Sequence, residues 1–348
     1  MQQLEQRALD LGVPLSVQFD LTYRCNERCV HCYLEHDDRG EMSTVEVCTV
    51  LDQLAEAGVF FLIFSGGEVF MRRDLFEILA HARALQFDVK VKTNAFMIGA
   101  REAERIRELG VRSAQVSIYS HRPEVHDAIT KLPGSLARSL EGIRLLRAQG
   151  LSVIVVNVLM RSNVGDYPRV KALAQELGAE YTIAPTITPK LDGDRSILSL
   201  GIGGEDLQQV FHNSDLVGNI EEFCAPPPPA TNDVLEEFPC SAGHTFCYIS
   251  PYGEVYPCVQ FSLPCGNVRG QKFLDIWNHS AALGEVRSIQ ARHLPVCSTC
   301  VHLATCTRCP GLAYTEGDMR GLSTQDCEKA FARTGIEGTG NVARASRP

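Results

Sequence analysis

The feature that most constrains this chain is a rhythm: between residues 16 and 185, short apolar runs alternate with helix-length amphipathic runs. SVQFDLT (16–22), VFFLIFS (59–65), DVKVKT (88–93), AQVSIY (114–119), SVIVVNVLM (152–160) and YTIAP (181–185) read as strands, by β-branched enrichment or by alternation. Between them stand STVEVCTVLDQLAEAG (43–58), RRDLFEILAHARALQ (72–86), AREAERIRELG (100–110), SLARSLEGIRLLRAQG (135–150) and DYPRVKALAQELG (166–178), all helical in pattern. The first of these opens on Ser43 with Glu46 three residues on, the signature of a capping box. Parallel neighbours need a crossover, so this alternation predicts an α/β fold: a parallel sheet with helices outside. Six units suit an open, partial (β/α)6 barrel, since a closed eight-fold one takes roughly 250 residues.

The rhythm stops near residue 200. Gly201, Gly203, Gly204 and the run Pro226–Pro229 mark 200–238 as a linker. The following segment, 239–330, is short, turn-rich and rich in cysteine, so metal ligation is the expected staple. Residues 1–15 read as an N-terminal extension, 16–199 as the barrel and 331–348 as a flexible tail.

Cysteine placement sharpens the division. Of 14 cysteines, three lie between Cys25 and Cys32, one is Cys48, and ten lie from Cys224 to Cys327. The opening residues lack a signal-peptide layout and no apolar run is long enough to span a membrane, which predicts a cytoplasmic protein with reduced thiols. Thiols in that number then point to metal or cluster ligation rather than to disulfides. A formal net charge of −9 disfavours a broad nucleic-acid footprint.

Cys25-x3-Cys29-x2-Cys32 follows the first strand, where active-site groups of parallel β/α barrels gather. Three thiolates can hold three irons of a four-iron cluster and leave the fourth open to a small molecule. With Tyr33 behind it, the motif resembles the C-x3-C-x2-C-aromatic signature of the radical S-adenosylmethionine (radical SAM) superfamily. Ser65-Gly66-Gly67-Glu68 after the second strand resembles that family's GGE motif, with Val69 where proline is common. Thr93-Asn94 resembles its TNG step, with Ala95 replacing glycine, and Ser117 and Tyr119 end the fourth strand. The resemblance implies Cys25, Cys29 and Cys32 as catalytic cluster ligands and Tyr33, Gly66, Gly67, Glu68, Asn94 and Ser117 around S-adenosylmethionine. It implies cleavage of the sulfonium and hydrogen abstraction by a 5′-deoxyadenosyl radical. The glycines would let the backbone approach the ligand closely.

The C-terminal pattern, Cys240, Cys258, Cys297-x2-Cys300-x5-Cys306-x2-Cys309 and Cys327, resembles the SPASM domain appended to many such enzymes. The last pair is spaced by two residues where the family usually has three. The resemblance implies three 4Fe-4S clusters, one catalytic and two auxiliary. Cys240, Cys258 and Cys309 would serve the nearer auxiliary cluster, and Cys297, Cys300, Cys306 and Cys327 the farther. Cys247 is the preferred fourth ligand of the nearer one, with Cys265 or an open iron as alternatives. A zinc ribbon is the competing reading of paired CxxC motifs. Cys48 reads as a core residue and Cys224 as a spectator thiol.

SPASM relatives mostly act on peptides, so the resemblance implies a maturase that crosslinks, epimerises, oxidises or excises residues of a ribosomally made precursor. An enzyme of cofactor or tetrapyrrole biosynthesis is the alternative, and a non-enzymatic zinc or redox scaffold a third. Val259 stands where sulfatase-maturating relatives place an aspartate base, which disfavours formylglycine formation. Expected partners are a precursor peptide, a separate leader-peptide-binding protein, because the 15-residue extension is too short to bind a leader, and an electron donor such as flavodoxin or ferredoxin. Neither nucleic acid nor membrane is expected.

Overall fold

The computed structural model describes residues 2–36 and 39–339. Its centre is one mixed sheet of nine strands: β1 (Ser16–Thr22), β2 (Phe61–Gly66), β3 (Asp88–Thr93), β4 (Ser113–Ser117), β5 (Ser152–Val158), β6 (Glu180–Ala184), β7 (Phe246–Ile249), β8 (Glu254–Tyr256) and β9 (Gly266–Asn267). The order is β6-β5-β4-β3-β2-β1-β7-β8-β9, with β1 to β7 parallel and β8 and β9 antiparallel. The sheet curls without closing, so the open (β/α)6 barrel expected from the alternation is the observed architecture.

Around it run α1 (Gln2–Leu11), α2 (Thr44–Glu56), α3 (Leu75–Ala84), α4 (Ala100–Glu108), α5 (Pro123–Thr130), α6 (Ser135–Ala148) and α7 (Tyr167–Glu176). The capping box forms: Ser43 N–H donates to Glu46 Oε2 (2.7 Å) and Glu46 N–H to Ser43 Oγ (3.4 Å). The strands alternate. Val17, Phe19, Leu62, Phe64, Val89, Val91, Ala114, Val116, Val153 and Val155 meet the helices in one core. Gln18, Asp20, Ser65, Lys92, Gln115 and Ser117 fall on the opposite, lumen face by the two-residue period. Parallel strands covered on both faces read as continuous apolar runs. Here the lumen positions of β5 (Ile154, Val156, Val158) stay half-exposed, so the lumen is an open cleft rather than a second core.

The N-terminal extension contains α1, seated near the C-terminal domain: the Trp277 indole N–H donates to the Gly12 carbonyl just past it (2.7 Å). Two expectations need correction. Residues 200–238 are more than a linker, for they hold α8 (Gly204–Phe211), α9 (Ser214–Val217), α10 (Ile220–Phe223) and α11 (Asn232–Glu236), while the proline run stays irregular. Beyond them come α12 (Phe273–His279), α13 (Ala281–Arg287), α14 (Pro310–Thr315) and α15 (Thr324–Thr334). Leu207, Val210 and Phe211 of α8 bury against Leu159, Ile202 and Ala332, so α8 and α15 form a small satellite core that glycine-rich flanks disguised. Helix α15 also carries ordered structure into the expected tail, of which 340–348 lie outside the described residues.

Because this satellite core is small, it should be sensitive to a single truncation. Leu207→Ala is expected to lower unfolding stability by about 2–5 kcal/mol, the usual range for a buried leucine, measured by urea denaturation.

Candidate functional site

The cysteine loop begins where β1 ends. It is pinned to α5 by Arg28 N–H to Thr130 O and Val30 N–H to Ile129 O (2.9 Å each), and turns back on itself through Cys32 N–H to Cys29 O (3.0 Å). Each sulfur meets donors. Cys25 Sγ accepts from Glu27 N–H (3.4 Å) and lies 3.9 Å from Asn94 Nδ2; Cys29 Sγ lies 3.9 Å from the Tyr119 hydroxyl; Cys32 takes a backbone N–H from Leu34. Burial pushes the Cys25 thiol up to about 12 and raises Cys29 and Cys32 as well. Buried thiols that resist ionisation, with N–H and O–H donors aimed at their sulfurs, suit a metal centre, because metal ligation deprotonates a thiol outright. Asn26 Nδ2, Glu27 Oε1 and His31 Nδ1 are buried beside them without a partner, leaving polar atoms for a bound group to satisfy. Among the described residues, no three His, Cys, Asp or Glu side chains close up into a set for a single ion. A four-iron cluster is wider than one ion and takes its thiolates further apart.

Gly66, Gly67 and Glu68 run alongside this loop. Gly67 N–H donates to Thr22 O (2.8 Å) and Glu68 N–H to Arg24 O (2.9 Å). A Cβ at Gly66 would strike the Thr22 carbonyl, and one at Gly67 the Arg24 carbonyl. Gly66 also takes φ +130°, which favours glycine. The close approach these glycines permit is thus first of chain to chain. Glu68 is fully buried: Oε1 accepts from Phe70 N–H (3.1 Å) and Thr93 Oγ1 (2.8 Å), and Oε2 from Asn94 N–H (2.7 Å). Burial raises its carboxyl to about 6 against those hydrogen bonds. Asn94 Nδ2 also donates to Asn26 Oδ1 (2.8 Å), and Ala95 adopts a left-handed φ of 59°, the conformation for which glycine is the natural residue. Ser117 is half-buried at the end of β4, and the Tyr33 carbonyl accepts from Leu191 N–H (3.0 Å).

A buried polar chain below the loop was missed from sequence. Lys92 Nζ donates to Gln18 Oε1 (2.8 Å), Gln18 Nε2 to Asp20 Oδ1 (3.0 Å), and the Tyr248 hydroxyl to Asp20 Oδ2 (3.0 Å), with the Tyr23 hydroxyl 2.6 Å from that of Tyr248. Burial lifts Asp20 to about 6. The signal lay in the alternation of SVQFDLT, whose polar Gln18 and Asp20 share one face. The Tyr33 hydroxyl is held well above its ordinary value by burial, with Asp20, Cys32, Tyr23 and Cys258 adding to it. One phenol therefore stands within electrostatic reach of both the first cysteine loop and the C-terminal domain.

In that domain, Cys240, Cys258 and Cys309 interact with one another, and burial raises all three, Cys240 to about 12. Cys297, Cys300, Cys306 and Cys327 line a cavity of about 660 Å³ with Arg308 and Asp326. Asp326 accepts from the Cys309 N–H (2.7 Å), linking the two sets. Cys247 joins neither set, contrary to expectation. It pairs in register with Val17, so its side chain faces the helices, while Tyr248 faces the lumen. It lies in the apolar core with Cys265, near Arg287, and burial raises Cys265 to about 12. Cys48 is half-buried on α2, and Cys224 Sγ bonds the Phe211 carbonyl (3.5 Å), away from both sets.

Two outcomes follow. Gly67→Ala should force the cysteine loop from β2 and cut iron incorporation on anaerobic reconstitution several-fold, measured as iron and acid-labile sulfide per chain. Asp20 is harder to ionise folded than unfolded, so metal-free protein should lose stability as pH rises from about 4 to 6. Asp20→Asn should remove that loss, gaining on the order of 2 kcal/mol at pH 8 and nothing below pH 4, read by denaturant titration at each pH.

Comparison with known proteins agrees with this geometry. Residues 19–170 match the radical SAM superfamily and residues 240–301 the SPASM iron–sulfur cluster-binding domain. The chain is 31% identical over 352 residues to PqqA peptide cyclase of Xanthomonas campestris pv. campestris, covering 96% of this chain and 92% of that one. It is 28% identical over 340 residues to AdoMet-dependent heme synthase of Oleidesulfovibrio alaskensis, covering 89% and 86%. Among solved structures, Streptococcus suis SuiB bound to precursor peptide SuiA superposes with a TM-score of 0.74 at 15% identity, covering 94% and 79%, a likeness of fold. Among the described residues, no helix is long and apolar enough to cross a membrane.

Proposed function

We propose, for a chain that belongs to the radical SAM superfamily and carries a SPASM domain, that its substrate is a ribosomally made precursor peptide. The protein is a radical SAM enzyme, one that uses S-adenosylmethionine with a 4Fe-4S cluster and binds iron–sulfur in its SPASM domain. In our reading Cys25, Cys29 and Cys32 hold the catalytic cluster. Cys240, Cys258 and Cys309 hold a nearer auxiliary cluster, and Cys297, Cys300, Cys306 and Cys327 a farther one. Bound there, cluster and cofactor would supply the radical chemistry of hydrogen-atom abstraction from the substrate.

The chain's own residues do the rest. Gly66 and Gly67 bring the end of β2 against the cysteine loop, and Glu68 fixes the ends of β2 and β3 together through Phe70, Thr93 and Asn94. In the same reading Asn94, Ser117 and Tyr33 orient the cofactor at the carboxyl edge of the sheet. The half-exposed lumen face of β5 leaves that side of the cleft open to a substrate.

The observation that carries the peptide reading is the similarity to PqqA peptide cyclase, which spans nearly the whole chain. A separate leader-binding protein and a flavodoxin or ferredoxin donor complete the system we propose, acting in the cytoplasm. The similarity to heme synthase supports a second reading, with a tetrapyrrole as substrate.

Anaerobically reconstituted enzyme is expected to hold about twelve irons, four for each of three clusters. With dithionite it should form 5′-deoxyadenosine, and Cys25/Cys29/Cys32→Ala should abolish that. Incubation with its precursor peptide should yield a mass-shifted peptide. Turnover of an iron porphyrin precursor with the peptide unchanged would select the second reading; bound zinc without deoxyadenosine would overturn both.

A further inference from the structure

Tyr119 stands just beyond β4, and everything around it fixes its direction. Its ring lies between two imidazoles, with His31 edge-on at 4.8 Å between centroids and His126 at 5.4 Å. Its backbone N–H donates to His126 Nδ1 (3.2 Å), and its carbonyl accepts from the side-chain amides of Asn157 (3.2 Å) and Asn163 (2.8 Å). Only 5% of the residue is exposed. Held this way, the hydroxyl lies 3.9 Å from Cys29 Sγ as donor. No apolar packing requirement explains an oxygen at that position, since phenylalanine would fill the same slot.

We propose that Tyr119 is a positioning residue that donates a hydrogen bond to the Cys29 sulfur and raises the reduction potential of the cluster held by Cys25, Cys29 and Cys32. This rests on the cluster site proposed above and goes beyond it. A donor on a ligating sulfur stabilises whichever redox state carries more negative charge, and hydrogen bonds to cluster sulfurs are a principal control of potential. The other two sulfurs draw backbone donors from within the loop, Glu27 N–H on Cys25 and Leu34 N–H on Cys32. Cys29 instead faces the Glu27 carboxyl at 3.4 Å, a group that as an anion would repel added charge. Tyr119, 90 residues on, supplies from β4 the donor that the loop does not give this sulfur.

The test uses the full-length protein, anaerobically reconstituted, in a redox titration followed by EPR. The catalytic centre is identified as the signal that changes when S-adenosylmethionine is added. Tyr119→Phe keeps the ring and removes only the oxygen. It is expected to hold the wild-type complement of iron, and its S-adenosylmethionine-responsive centre is expected to be reduced about tenfold less favourably. For a one-electron couple that is a fall of about 59 mV, with the other centres unmoved. An unchanged potential at full iron content overturns this inference and leaves the cluster site standing. Wild-type protein with no S-adenosylmethionine-responsive centre overturns both. Should Tyr119→Phe lose iron, 3-fluorotyrosine at position 119, a stronger donor of the same shape, decides: a rise in potential supports the inference, and an unmoved potential overturns it.

Discussion

Two backbone hydrogen bonds, from Gly67 N–H to Thr22 O and from Glu68 N–H to Arg24 O, set the geometry on which the site depends. Through them the end of β2 grips the end of β1 at the point where the chain leaves the sheet to become the cysteine loop. The grip needs two residues without Cβ atoms, and it delivers a buried carboxylate, Glu68, between β2 and β3. That carboxylate then orders the Thr93–Asn94 step, and Asn94 reaches back to Asn26 in the loop. A circuit results, β1 to β2 to β3 and back to β1. Its members are spread from Thr22 to Asn94, so no single substitution in it acts locally.

The second structural idea is the junction of the two domains. β7 pairs with β1 in parallel, so the C-terminal domain does not hang from the barrel but continues its sheet. Register makes the consequence definite. Tyr248 stands opposite Gln18 on the lumen face and bonds Asp20, whereas Cys247 stands opposite Val17 and faces the helices. A two-residue period thus assigns adjacent side chains to different work: a phenol to the polar lumen and a thiol to the apolar core.

This explains what was legible beforehand. The six strand–helix units were visible because their periodicity is local, and the first cysteine loop because its residues are neighbours in sequence. Helix α1 was hidden because part of its support, Trp277, arrives from more than 260 positions away. The ordered part of 200–238 was hidden because α8 earns its stability from α15, and its own flanks read as a linker. The hairpin that carries Cys247 and Cys258 suggested a shared ligand site by proximity, but only pairing with β1 reveals which way Cys247 points. The lumen network was legible in principle, since Gln18 and Asp20 alternate with Val17, Phe19 and Leu21, yet its partners Lys92 and Tyr248 come from distant strands.

Burial in the upper lumen acts on thiols and carboxyls in the same direction. It disfavours the anionic form of Cys25, of Glu68 and of Asp20 alike, while Lys92 is the nearby cation that counters Asp20. A pocket that has collected acids in this way stores a preference for positive charge. Iron ions, and a ligand with an ammonium and a sulfonium group, are cationic partners of that kind. The thiols feel this most: Cys25 keeps its proton at neutral pH, and the ligation proposed above would exchange that proton for iron, so metal binding at this loop is coupled to proton release.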